Sequence, residues 1–172
     1  ADHRGEERPE ERVPVRLEVE MDAYLPEEFI DDPEARILFY KRLADLGELD
    51  ALRSLRDELR DRYGRLPEPA ENLLQLKELR ILAEAGGVEE VRARGREGLC
   101  GFATGREPGP ELVKRIVHEV PGQLSFQADG REGLRVLIAA EPEKDALGSV
   151  AEVLRLVAES VPAQEVAPLG RP

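Results

Sequence analysis

Three residues offer the densest chemistry in this sequence: Glu58, Asp61 and Arg62, inside "DRYGRLPEPAENLL" and the run just before it. Positions three and four apart are neighbours on a helix, so their side chains form one charged patch. Such a patch suits contact with a charged partner, since charged contacts set specificity and register. Within the chain, Glu58 and Arg62 are also spaced to pair with each other, a pairing worth less than about 1 kcal/mol when exposed.

Catalytic chemistry has little to build on. There is no GxxxxGK[ST] phosphate loop and no HExxH pair, and "GREPGPE" places acid where a phosphate would sit. The two histidines, His3 and His118, lie far apart, and His118 reads as a surface residue of a short helix. With one usable histidine, a triad through Ser54, Ser125, Ser149 or Ser160 is not supported. Cys100, the single cysteine, excludes an internal disulfide, and its alternation with Phe102 points it into the core. The pairs Glu27-Glu28 and Asp31-Asp32 read as a solvated loop and a helix cap rather than a metal site. No catalytic, cofactor-binding or metal-binding residue is assigned.

The elements that carry the patch follow from periodicity. "DDPEARILFYKRLADL" opens a helix with Asp32 as cap and Pro33 in the first turn. Ala35, Phe39, Leu43 and Leu46 share one side and Ile37, Tyr40 and Ala44 the other, so this helix is expected to be sandwiched. In "ELDALRSLRDELRDRYG", Leu49, Leu52, Leu55, Leu59 and Tyr63 form one stripe, which turns Glu58, Asp61 and Arg62 outward. Gly64 is the expected left-handed stop, with Leu66 folding back. A third, central helix begins at Pro69 and ends at Gly86-Gly87.

Beyond it, "VEEVRA" and "GLCGFAT" read as strands, a short helix starts near Pro110, and "QLSFQADGREGLRVLIAA" reads as a hairpin around Asp129-Gly130. A last helix is expected from about Glu143 to Val161. The expected fold is therefore α+β: three N-terminal helices followed by a ββαββα unit with a mainly antiparallel sheet. Residues 1–12 read as a disordered leader, 13–161 as a single regulatory domain and 162–172 as a flexible tail. "VPVRLEVEMDAYLP" has a strand period, through Val15, Leu17, Val19 and Met21, and pairs with the domain or with upstream sequence.

The 172 residues carry a net charge of −12, with acids and bases mixed along every segment. Direct nucleic-acid binding is not expected of such a chain, whereas a partner with a basic surface is. Hydrophobic residues make up 41% but never in a run that approaches a membrane span, so a soluble, cytoplasmic protein is expected. The start at Ala1, with Met21 the only methionine, reads as a piece of a longer polypeptide.

"LPEEFIDDPEARILFYKRLADL" and "LRDELRDRYGRLPEPAENLLQLKELRILAEAGGV" resemble the C-terminal domain of bacterial transcription-repair coupling factors. Leu25, Pro26, Arg36, Tyr40, Lys41, Arg42, Glu58, Asp61, Arg62, Gly64, Leu66, Pro67 and Pro69 stand at motif positions, while Tyr63 replaces the commoner phenylalanine. The resemblance is dense through Gly87 and holds only in pattern beyond it. It implies a parent that is an ATP- and Mg-dependent translocase on duplex DNA, displacing stalled RNA polymerase and recruiting UvrA for nucleotide excision repair. It also implies that this domain is non-catalytic, without cofactor, and packs on a UvrB-like domain of the parent through Glu58, Asp61 and Arg62, hiding the UvrA-binding surface. The alternative is a free-standing protein-binding adaptor.

Overall fold

The computed structural model describes residues 14–129 and 133–161. The leader expected at 1–12 and the tail expected at 162–172 lie outside them. The chain forms two compact units, one of residues 21–81 and one of residues 1–20 with 82–172.

The first unit is helical. Helix α1 spans Pro33–Asp45, α2 Leu49–Tyr63, and α3 Glu68–Gly86, whose residues up to Ile81 belong here. Asp32 caps α1, its Oδ1 accepting the Glu34 N–H at 3.1 Å, and Pro33 fills a position whose missing N–H costs nothing. Leu52, Leu55 and Leu59 recur at helical spacing and bury one face of α2 against Phe39 and Leu43 of α1 and Ala70, Leu74 and Ile81 of α3. The segment before α1 is tied down by its backbone. Tyr40 Oη accepts the Leu25 N–H at 2.8 Å, Asn72 Nδ2 donates to the Asp22 carbonyl at 2.8 Å, and Arg36 Nη1 donates to the Ile30 carbonyl at 2.6 Å.

Two local expectations are corrected. Helix α1 is buried on one side only: among the described residues, Ile37 and Tyr40 of the second apolar row are 52% and 38% exposed, and the neighbouring Leu38 is 59% exposed. Gly64 does take a positive φ of 92°, but its ψ of −162° is extended rather than left-handed helical. Its N–H still bonds the Arg60 carbonyl at 2.9 Å, and the chain bends at Arg65 before the buried Leu66.

The second unit is a five-stranded sheet with helices on one face. Strands β1 (Arg16–Val19), β2 (Val88–Arg94), β3 (Glu97–Phe102), β4 (Gln123–Asp129) and β5 (Gly133–Ala139) lie in the order β1-β2-β3-β5-β4. Helices α4 (Pro110–Glu119) and α5 (Leu147–Glu159) complete the unit. Strand β1 runs parallel to β2, Arg16 opposite Glu90, while the other pairs are antiparallel.

This overturns the expected order of three helices first and then ββαββα. The described residues open with a strand that belongs to the sheet, the helical unit lies between β1 and β2 in sequence, and the sheet, mainly antiparallel as expected, has one parallel pair. The reason is the parallel pairing of β1, which requires a long crossover. Periodicity in Val15, Leu17 and Val19 marks a strand without naming a partner some seventy residues on.

Alternation divides the sheet. Val91, Ala93, Cys100, Phe102, Val136 and Ile138 are buried on the helix face. There α5 approaches so closely that a Cβ at Gly98 would stand 2.7 Å from Val150 Cγ2. The last helix starts at Leu147 rather than near Glu143, because Glu143 has a positive φ of 67° and Asp145 Oδ1 accepts the Leu147 N–H at 3.2 Å.

Candidate functional site

The charged patch stands on the helical unit. Leucines 52, 55 and 59 face inward, so Glu58, Asp61 and Arg62 emerge on the outer side of α2 beside α1. Glu58 is the centre of an ion cluster that reaches across the helix pair. Arg42 of α1 presents its guanidinium edge to both carboxylate oxygens, Nη1 to Oε2 at 2.9 Å and Nη2 to Oε1 at 2.7 Å. Arg62 Nη1 adds a third, longer bond to Oε2 at 3.3 Å. The bidentate fork is the stronger kind of charged hydrogen bond and fixes orientation as well as distance.

Beneath the ions lies an aromatic floor. Arg42 Cζ sits 5.2 Å from the Phe39 ring centroid, and Arg62 Cζ lies 5.6 Å from Phe39 and 5.3 Å from Tyr63. All three distances allow cation–π attraction. Tyr63 meets the edge of Phe39 at 6.0 Å and Phe29 at 5.7 Å, which locks the floor into the core. The bonds from Arg42 hold the Glu58 carboxyl well below its usual range, at about 2, and Glu58 in turn raises the Arg42 guanidinium. Two arginines thus share one carboxylate.

Asp61 differs. It is exposed, and among the described residues no hydrogen bond or ion pair holds it. Of the three residues singled out by spacing, Glu58 and Arg62 are joined to each other, and Asp61 projects alone. Sequence spacing missed Arg42, the principal partner of Glu58, because it is sixteen residues away on another helix. Its place in "FYKRL", one helical turn from the exposed Leu38, was the available signal.

The other sequence candidates separate clearly. Cys100 is fully buried in β3, and desolvation pushes its thiol up to about 12. His118 is exposed on α4. The open face of the sheet carries a shallow groove of about 960 Å³, with Arg92, Arg94 and Arg135 along it. Each of these arginines already has a carboxylate: Arg92 and Arg135 meet Glu90 at 2.7 and 3.6 Å, and Arg94 meets Glu20 at 3.6 Å. None of the described helices is long and apolar enough to cross a membrane.

Residues 19–112 match the family model described as the TRCF domain, a stretch that contains the whole helical unit from α1 to α3. The chain belongs to the TRCF domain family. Curated relatives of this TRCF domain are transcription-repair-coupling factors. That of Haemophilus influenzae is 30% identical over 142 residues, covering 83% of this chain and 12% of the relative. That of Bacillus subtilis is 31% identical over 141 residues, 81% of this chain and 12% of the relative. The Escherichia coli protein is 29% identical over 146 residues, again 12% of its length. The chain therefore spans about an eighth of these relatives. A crystal structure of the C-terminal domain of a transcription-repair coupling factor superposes with a TM-score of 0.74 at 19% identity, covering 88% of this chain and 98% of that one. The TRCF domain described here thus shares the fold of that C-terminal domain.

Proposed function

We propose that this TRCF domain acts as the autoinhibitory interaction domain of a coupling factor, packing on a UvrB-like domain of the same polypeptide and masking its UvrA-binding surface. The parent motor would supply ATP and Mg chemistry, duplex DNA translocation and displacement of stalled RNA polymerase. This domain would contribute no catalytic group and no cofactor, and would act in the cytoplasm.

The observation that carries the reading is the unequal use of the two carboxylates. Glu58 is engaged by Arg42 and Arg62, while Asp61 stands exposed beside them. A rigid, aromatic-backed cluster that presents one unused carboxylate suits docking on a basic surface, where charge fixes register. Glu58 acts as the positioning residue and Asp61 as the contact.

The test is Asp61→Arg in the full-length coupling factor. Losing one charged contact at an interface rim costs about 1–2 kcal/mol, a factor of roughly 5 to 30 in the ratio of packed to released protein. Basal ATP turnover without polymerase should rise and UvrA should bind more readily, with the fold unchanged. Unchanged turnover together with unchanged UvrA binding would reduce the patch to a solvated helix face.

A further inference from the structure

The two edges of the sheet are unequal. At one end β1 is four residues long and carries Arg16 and Glu18 at exposed positions, with Pro14 just ahead of it. Short length, charge and proline are the usual protections against unwanted strand pairing. At the other end, β4 is longer and also has a proline ahead of it, Pro121, but its only charge is the terminal Asp129. Its seven residues pair with β5 in unbroken register, from Gln123 opposite Ala139 to Asp129 opposite Gly133. No charge or proline occurs from Gln123 to Ala128. Among the described residues, no other backbone group bonds to its outer edge.

We propose that β4 is a self-association edge, which pairs antiparallel with β4 of a second copy about a twofold axis at Ser125. The strand is its own complement. In "QLSFQ", that axis places Ser125 opposite Ser125, Gln123 opposite Gln127, and Leu124 opposite Phe126. Gln123, Ser125 and Gln127 lie on the open face of the sheet and are exposed, so a ladder of uncharged hydrogen-bonding side chains would form there. Leu124 and Phe126 lie on the helix face and are only half-buried, leaving apolar surface for the partner strand to cover. No like charges face each other, which is what a closed, isologous pair of identical strands requires. An arriving strand of different sequence would find no charge between Gln123 and Ala128 to select it. The net charge of −12 opposes association at long range, so salt should strengthen the pair by screening.

Sedimentation velocity on the chain tests this. A concentration-dependent monomer–dimer equilibrium is expected, with a dissociation constant of roughly 1–100 µM, the range of a small interface, and tighter at higher salt. Ser125→Lys places two cations opposite each other and should abolish the dimer. Because Ser125 is exposed, circular dichroism should report an unchanged fold. An equimolar mixture of Ser125→Lys and Ser125→Glu should restore dimers that neither variant forms alone. A wild-type chain that stays monomeric at all concentrations overturns the proposal and leaves the edge to a strand of another protein. A dimer that survives Ser125→Lys overturns it as well, since association would then use another surface.

Discussion

Replacing Glu58 with glutamine removes the anion that two arginines share while leaving side-chain size almost unchanged. The amide oxygen can accept at most two of the three bonds, and the NH2 group in place of the other oxygen then faces a guanidinium. Arg42 and Arg62, both over the Phe39 ring, are left as adjacent like charges. A bidentate Arg–carboxylate pair is stronger than an ordinary surface pair, yet the Glu58 side chain is 34% exposed and screened by water. We therefore expect a loss of about 1 kcal/mol, and no more than about 2, at pH 7. The pH dependence gives the sharper signature. In the folded chain Glu58 titrates at about 2, below its ordinary 4.5, so the unfolded state binds more protons between those values. The stabilisation is fully present above the ordinary value and is lost as pH falls toward the folded one. Urea unfolding of wild type and Glu58→Gln from pH 7 to 2.5 should give a difference that is constant above about pH 5.5 and shrinks below 4.5. Effects of other carboxylates cancel in that comparison. A difference that is zero at pH 7, or that stays constant down to pH 2.5, would refute the clamp.

Further expectations follow from backbone and burial. At Gly64, φ of 92° with ψ of −162° lies in a region essentially confined to glycine, and no atom lies within 4 Å of an added Cβ. Gly64→Ala and Gly64→Asn should therefore each lower stability by about 1–3 kcal/mol through the backbone alone, measured as a drop in melting temperature. If asparagine were tolerated as well as glycine, a left-handed stop would be the right description after all. Cys100, fully buried with its thiol raised to about 12, should resist thiol-specific labelling at pH 8 and react only at the rate of unfolding. Prompt labelling of the native chain would show that β3 is not packed as described.

What could be read in the sequence was mostly local. The Leu52, Leu55 and Leu59 stripe sets the inward face of α2 and hence the outward face that carries Glu58, Asp61 and Arg62. Asp32 and Pro33 mark the start of α1 because capping needs only neighbours. What failed depended on distance along the chain or on conformation beyond one angle. The pairing of β1 with β2 joins Arg16 to Glu90, and no pattern within either segment states that contact. The same holds for Arg42 and Glu58, where spacing within α2 suggested Arg62 alone. In α1 the two apolar rows were visible, but periodicity does not say whether a row is covered, and Ile37 and Leu38 are exposed. For Gly64 the residue type fixed the sign of φ and left ψ open.

The central claim is that the α1–α2 surface docks through Asp61 on a basic surface of a UvrB-like domain. Isothermal titration of this chain against that domain, supplied as a separate polypeptide, measures it directly. Wild type should bind, weaken as salt is raised, and be displaced by UvrA, whereas Asp61→Arg should bind at least about fivefold more weakly. Absence of binding by wild type, or equal binding by both chains, would contradict the account.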